Sequence, residues 1–424
     1  MNPIFETYFT RFEAFEQQSQ KSVDRNLGII VTIPCYHEPD ILQTLNCLLN
    51  CTMPSCHIEV IIVVNHSETA DNSIKQFNQK TFEQLCEYSS AKSTGTISFL
   101  PLAAFNISMK QAGVGYARKL AMDEAVRRFA QIDNPEGVIV SCDADTVVDK
   151  NYFIEIETFY RNNPQCSAAN IYFEHHLTGD LQQEQYQAIA QYELYLRYYV
   201  EQLKRIGFPY AFHTIGSCFS VRAKTYCRQG GMNKRQAGED FYFLQKLFPA
   251  ECFGEINTTT VHPSSRQSDR VPFGTGTAIA ELKQSRQELM TYSTECFDIL
   301  QDFFVRAKSL QNASPQGIRD TYESLHTCLK KFLPSSDFEQ KIIEIQHNTK
   351  THKQFCKRFF RWFNGLQVYK FLNYSCGNGF QKIPIGTAAK ELFDKTDMDI
   401  FSLLQFYRLR AKKRKQRIIS ENVL

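Results

Sequence analysis

Between residues 28 and 145 the chain alternates apolar runs of strand length with amphipathic runs of helix length, and few folds accept that pattern. The runs at 28–34, 59–64, 96–100 and 137–141 are almost continuously apolar, which predicts strands buried on both faces. Helical spacing fills the intervals at 40–50, 73–89 and 115–130, the first opening on Asp40 as its cap. Strands joined through helices run parallel, because only antiparallel neighbours can be joined by a tight hairpin. The predicted fold class is therefore α/β: a Rossmann-like, mostly parallel sheet with helices on both faces. Ligands of such sheets bind beyond the carboxyl ends of the strands, and the polar clusters of this sequence do follow strands.

After Gly276 the strand pattern stops. The segments 277–311, 317–333, 338–372, 385–394 and 398–417 all read as helices, so a helical C-terminal region is expected over 277–424, bounded by the glycines at 274 and 276. Near the start, Phe5, Tyr8, Phe9, Phe12 and Phe15 recur at helical spacing and predict an amphipathic helix within 1–27 that packs on the body. The sheet domain is then 28–276. At 424 residues the chain is longer than one core usually supports, in keeping with a catalytic domain and an appendage.

The formal net charge of +3 conceals an uneven distribution, since seven of the 48 basic residues lie between Arg408 and Arg417. That run reads first as a solvated, frayed helix end; it also offers peripheral contact with anionic lipid, and no nucleic-acid partner is expected. The apolar runs fall far short of the roughly 20 residues that cross a bilayer. No basic region followed by an apolar run opens the sequence, so a cytoplasmic protein is expected, reaching at most the inner face of the membrane. In that compartment the 14 cysteines stay reduced, and none forms a C-x-x-C pair.

Chemistry is concentrated where strands end. The run at 137–141 leads into Cys142-Asp143-Ala-Asp145, and alternation along an extended chain puts both carboxylates on one side. A hard divalent cation, Mn2+ or Mg2+, takes oxygen ligands and keeps substrate phosphates in its shell, so this pair suits a metal bridging a diphosphate. Pro34-Cys-Tyr36-His-Glu38 sits at the tip of the first strand, Ala117-Arg118 lies on a helix, and Gly238-Glu239-Asp240 precedes an apolar helical run. Gly216-Ser217 lies in a turn before a short strand at 218–221. A basic loop then carries His262, Arg266 and Arg270, whose guanidinium groups can take phosphate oxygens bidentately. Tyr192, Tyr195 and Tyr199 share one face of a helix at 180–205 and read as packing.

In this order and spacing, the segments Pro34–Glu38, Ala117-Arg118, Asp143–Asp145 and Glu239-Asp240 resemble those of the inverting glycosyltransferases of family two, which have the GT-A type of fold. The resemblance covers about residues 28–265. It implies transfer of a sugar from a nucleotide-diphosphate sugar to an acceptor hydroxyl. In the residues of this chain, it implies that Asp145 holds the metal while Asp143 shares it or contacts the ribose. Pro34, Tyr36, Glu38 and Arg118 would border the nucleotide, and Arg266 and Arg270 would close over the diphosphate. Asp240, with Glu239 beside it, would be the general base. Gly216 and Ser217 would face the acceptor, and His262 would complete the metal shell.

One departure matters. Where the family commonly carries an acidic pair after the second strand, this chain has Val64-Asn65-His66-Ser67-Glu68. Asn65 offers a donor and an acceptor, so it can read uracil, guanine or cytosine, and UDP- and GDP-sugars both stay open. The acceptor, a saccharide or a lipid-linked molecule, stays open too. Two other readings differ in what they need: a retaining transferase of the same fold has no use for Asp240 as a base, and a catalytically silent scaffold would bind no nucleotide with metal.

Overall fold

The computed structural model describes residues 2–250, 252–267, 275–285, 287–414 and 418–419. They fall into two compact units: one built from 1–182, 214–280 and 411–420, the other chiefly from 183–213 and 281–410.

The first unit holds the sheet. Its strands are β1 (Leu27–Cys35), β2 (His57–Ser67), β3 (Ile97–Ile107), β4 (Val138–Ser141), β5 (Val147–Val148), β6 (Cys166–Phe173), β7 (Phe219–Arg222) and β8 (Cys252–His262), together with a short final strand at Ile418–Ile419. In space the order is 418–419, β8, β6, β7, β4, β1, β2, β3, with β5 added to β8. The pairs β1/β2, β2/β3, β1/β4 and β6/β8 are parallel, whereas β7 runs antiparallel to both β4 and β6. The α/β class is thus as expected, but the sheet is mixed, since β5 and the strand at 418–419 also pair antiparallel with β8. Continuous burial explains β1 and β2: Ile29 to Cys35 and Ile58 to Val64 are all buried, so neither strand alternates.

Helices α1 (Pro3–Arg11), α2 (Ile41–Leu49), α3 (Asn72–Lys92), α4 (Val114–Gln131) and α5 (Tyr152–Asn162) belong to this unit. The expected N-terminal helix is shorter than 1–27. α1 starts where Asn2 accepts from the Ile4 N–H, and it ends at Phe12, which is extended. Beyond it, the Phe15 and Gln18 N–H groups donate to Asp123 (2.9 Å) and Glu124 (2.8 Å) of α4 instead of to the preceding turn, so the helix gives way to a strap laid over α4.

That strap closes on a buried charge. Asp123 accepts from the hydroxyls of Tyr8 and Tyr226 at 2.7 Å each and from the Lys119 ammonium at 2.8 Å. All four groups are buried, and the acid and the base neutralise each other.

The second unit is helical: α6 (Gln183–Arg205) joins a series that runs, after α7 (Ala223–Arg228) and α8 (Glu239–Leu247) of the first unit and α9 (Thr275–Ser285), which the division at 280 splits, through α10 (Thr294–Lys308), α11 (Pro315–Glu323), α12 (Thr327–Phe332), α13 (Ser335–His347), α14 (His352–Trp362), α15 (Gly365–Cys376), α16 (Ile385–Glu391) and α17 (Ile400–Lys413). The helix expected over 338–372 is cut into three, because Thr351 forms a capping box with Gln354 and Asn364 caps α15. A small antiparallel pair, β9 (Met290–Tyr292) with β10 (Lys382–Pro384), also stands where only helices were expected. Phe303, Phe304, Phe359, Phe360 and Phe363 pack edge to face at the core of this unit. Tyr199 packs on Tyr195, Tyr292 and Phe297, in line with a packing role for that stripe.

The basic run is not wholly solvated. Arg408 is 5 % exposed and binds Glu193 through two bonds of 2.8 and 2.6 Å, while residues 415–417 lie outside the described residues. Among the described residues, no helix is long and apolar enough to cross a membrane.

Asp123→Ala removes the carboxylate that answers Lys119 in its buried cluster, so it should cost about 3–5 kcal/mol, whereas Tyr226→Phe should cost about 1 kcal/mol. Urea unfolding followed by circular dichroism measures both.

Candidate active site

The site follows from the order of the strands. From β1 the chain steps outward to β2 and β3 through α2 and α3, then α4 carries it back to β4 on the other side of β1. Right-handed crossovers put α2 and α3 on one face and α4 on the other, and the reversal opens a crevice between the carboxyl ends of β1 and β4. Thr32 pairs with Ser141, so the segments beyond them, Tyr36–Glu38 and Asp143–Asp145, leave the sheet on the same side. Thr44 of α2 donates to the Ala144 carbonyl at 2.9 Å and holds that turn.

Arg118 of α4 organises one wall. It is 2 % exposed. Its Nη2 donates to Asp143 Oδ1 (2.9 Å), its Nε to Glu239 Oε1 (3.0 Å), and its Nη1 to the Gly216 carbonyl (3.1 Å) and the Ser141 hydroxyl. The segments after β4, before β7 and at the start of α8 are therefore tied to one guanidinium. Gly115 allows this approach: a Cβ there would lie 2.0 Å from the Arg235 carbonyl oxygen, so only glycine lets the loop leading to Glu239 lie on the start of α4.

Asp240 stands beside the same cation. A Cβ at Gly216 would come within 2.9 Å of Arg118 Nη2 and 3.0 Å of Asp240 Oδ2, which puts both groups against that turn. Burial, and then the negative charge of Glu239, raise the Asp240 carboxyl to about 7, against the opposing pull of Arg118. Asp143 adds a smaller push in the same direction. A carboxyl poised there can both take and return a proton near neutrality.

Arg266 organises the other wall. It donates to both Glu38 oxygens (2.9 and 3.0 Å), to Asp40 Oδ2 (2.6 Å) and, more distantly, to Asp145 Oδ2 (3.4 Å). Glu38 is buried, and Arg266 is an opposite charge against it. Asp40, expected only as a helix cap, makes no capping bond and points to Arg266 instead. It is a site residue that the cap reading concealed.

At the end of β2, Asn65 is 3 % exposed, and its Oδ1 is buried with no hydrogen-bond partner among the described residues. Asn78 of α3 fixes it from behind, donating to the Asn65 carbonyl at 3.0 Å while accepting from the His37 N–H at 2.9 Å. Nothing in the sequence singled out Asn78. Tyr36 is half-buried at the strand tip and Pro34 is fully within the sheet.

The remaining expectations fare differently. His262 binds Asp149 Oδ1 through Nε2 (3.0 Å) and the Glu174 carbonyl through Nδ1 (3.1 Å), and it stacks on His176, so both its nitrogens are engaged away from the aspartate pair. Ser217 is 1 % exposed and its hydroxyl lies against Cys218 Sγ, so of the Gly216-Ser217 pair only the glycine borders Arg118 and Asp240. Arg270 lies outside the described residues. Among the described residues no three His, Cys, Asp or Glu side chains gather as a ready-made metal cage. Two carboxylates at a strand end still suit Mg2+ or Mn2+, because such ions are commonly held by one or two carboxylates and complete their shells with substrate phosphates.

No protein-family model matches the chain, and no curated protein does. Among solved structures, S. aureus TarS 1–349 in complex with UDP-GlcNAc is 11 % identical with a TM-score of 0.38, covering 79 % of this chain and 91 % of that one. The mannosyltransferase PcManGT from Pyrobaculum calidifontis, in complex with GDP-Man and Mn2+, is 12 % identical with a TM-score of 0.32, covering 92 % of this chain and 93 % of that one. Likeness so distant carries no argument about chemistry, which rests on the residues above.

Because Glu239 raises the Asp240 carboxyl, Glu239→Gln should move its titration from about 7 back towards the ordinary carboxylate range. Carbon-13 NMR of labelled aspartate, with Asp240→Asn to assign the signal, reads the midpoint.

Proposed function

We propose that this protein is a glycosyltransferase: it moves a sugar from a nucleoside-diphosphate donor to an acceptor hydroxyl, with inversion at the anomeric carbon and with Mn2+ or Mg2+. The observation that carries the reading is the gathering of Asp143, Glu239 and Asp240 around Arg118 at the reversal point of the sheet. The motif order seen in the sequence supports it independently.

The donor's base lies at the end of β2. The buried acceptor of Asn65 would take an N–H from the ring of uracil or guanine, and Asn78 keeps it aimed. Tyr36 borders the same pocket, and Glu38 supports it through Arg266. The diphosphate lies between Asp143–Asp145 and Arg266, whose guanidinium fork matches phosphate oxygens. Asp145 and Asp143 would hold the metal, which supplies positive charge against the departing diphosphate.

Asp240 then acts on the acceptor. It takes the hydroxyl proton while the oxygen attacks the anomeric carbon; the bond from that carbon to the diphosphate breaks, and its electron pair leaves with the diphosphate. Displacement from the opposite face inverts the centre. Arg118 holds Asp143 and Glu239 in place beside the base, and Gly216 leaves room for the acceptor, since a side chain there would strike Arg118 and Asp240.

Donor hydrolysis and transfer across a panel of UDP- and GDP-sugars with Mn2+ tests this directly, and proton NMR of the product reads the anomeric configuration. Asp240→Asn should keep nucleotide affinity while transfer falls roughly 10²–10⁴-fold. Asp145→Ala should lose the metal-dependent part of nucleotide binding. With a base that titrates at about 7, kcat/KM should rise as pH increases through that value, because Asp240 works only after losing its proton. Turnover retained in Asp240→Asn removes the base assignment; absence of metal-dependent UDP and GDP binding removes the enzyme.

A further inference from the structure

The helical unit carries a second concentration of charge. From residue 345 to residue 390 the sequence contains no Asp or Glu, yet it contains eight Lys and Arg. Five of these, Lys350, Lys353, Lys357, Arg358 and Arg361, fall on α14 and the turn before it. A solvated helix face ordinarily mixes the two signs, because like charges four residues apart repel by a few tenths of a kcal/mol. Lys353, Lys357 and Arg361 stand at that spacing with no acid between them.

These side chains surround a concavity. A cavity of about 490 Å³ opens where α13 meets α14, and Asn348, Lys350, Gln354, Lys357, Arg358 and Arg361 line it. Four of the six are cations and none is an acid. Glu344 of α13 lies beyond the lining, 3.9 Å from Arg358, and it also serves Lys341. The backbone beneath is fixed: the Thr351 capping box starts α14, and Phe355, Phe359 and Phe360 bury its opposite face. The cations are therefore brought together by a rigid helix.

We propose that this cavity binds a phosphate-ester anion carrying at least two negative charges. Its size is that of a small-molecule site, but its lining is cationic where such sites are usually apolar, so the ligand it suits is one whose charge supplies the affinity. Two arginines offer planar forks that match phosphate oxygens, and two lysines add point charges. A free phosphate compound and a phospholipid head group share this chemistry. The assignment does not depend on the transfer reaction, since every residue in it belongs to the helical unit.

Calorimetry of the full-length protein with tripolyphosphate, at low and physiological salt, tests a soluble ligand. Sedimentation with neutral vesicles, and with vesicles containing an anionic phospholipid, tests a head group. Binding of either probe should weaken with salt and fall at least roughly tenfold in Lys357→Glu/Arg361→Glu, and by less in the milder Lys357→Gln/Arg361→Gln, with the thermal unfolding midpoint unchanged. Tripolyphosphate binding lost in the variants assigns a soluble phosphate; loss confined to anionic vesicles assigns a head group. If the wild type binds neither probe, or if the folded variants bind as well as the wild type, the proposal is overturned.

Discussion

A guanidinium taken out of water must have its charge and its N–H groups answered by the protein, since several kcal/mol are lost otherwise. Arg118 is such a group, and the answers come from three places far apart in sequence: Ser141 at the end of β4 with Asp143 just beyond it, the Gly216 carbonyl before β7, and Glu239 at the start of α8. Asp143 and Gly216 lie in irregular backbone, whereas Ser141 ends a strand and Glu239 begins a helix. Satisfying one side chain therefore fixes loops that strand pairing alone leaves loose. The carboxylates gathered in this way are what give the crevice its chemistry.

A second arginine does the corresponding work opposite. Glu38, Asp40 and Asp145 would repel one another at the tip of β1 if Arg266 did not stand among them. The two walls are thus each gathered around one guanidinium of the chain itself, one deeply buried and one partly open to solvent. The open one is free to exchange partners at lower cost, because its ion pairs lose less when water can replace them.

Much of this was legible in the residues. Continuous apolar runs announced β1 and β2, and the D-x-D announced carboxylates at the end of β4, because strand burial and strand ends follow from local pattern. The failures share a cause as well. The N-terminal helix stops at Phe12 because Asp123 and Glu124 capture the following N–H groups, a contact between residues more than 100 positions apart. The family resemblance made His262 a metal ligand, yet Asp149 and the Glu174 carbonyl engage both its nitrogens. Asp40 looked like a cap, and Asn78 looked like nothing. Each misreading turned on a partner that proximity along the chain does not reveal, whereas the breaks at Thr351 and Asn364 were local and escaped because apolar periodicity runs straight through them.

The two units are interleaved along the chain, and this bears on how the protein comes to exist at all. Helix α6 belongs with partners that begin at residue 281, so it leaves the ribosome well before them. Translation proceeds at roughly 5–20 residues per second, and the helix then waits for many seconds with Ile189, Leu194 and Tyr198 uncovered. A nascent chain in that state is a natural client for chaperones. Cutting the gene before the helical unit would not yield a smaller protein but a sheet with an adhesive segment spliced into its middle.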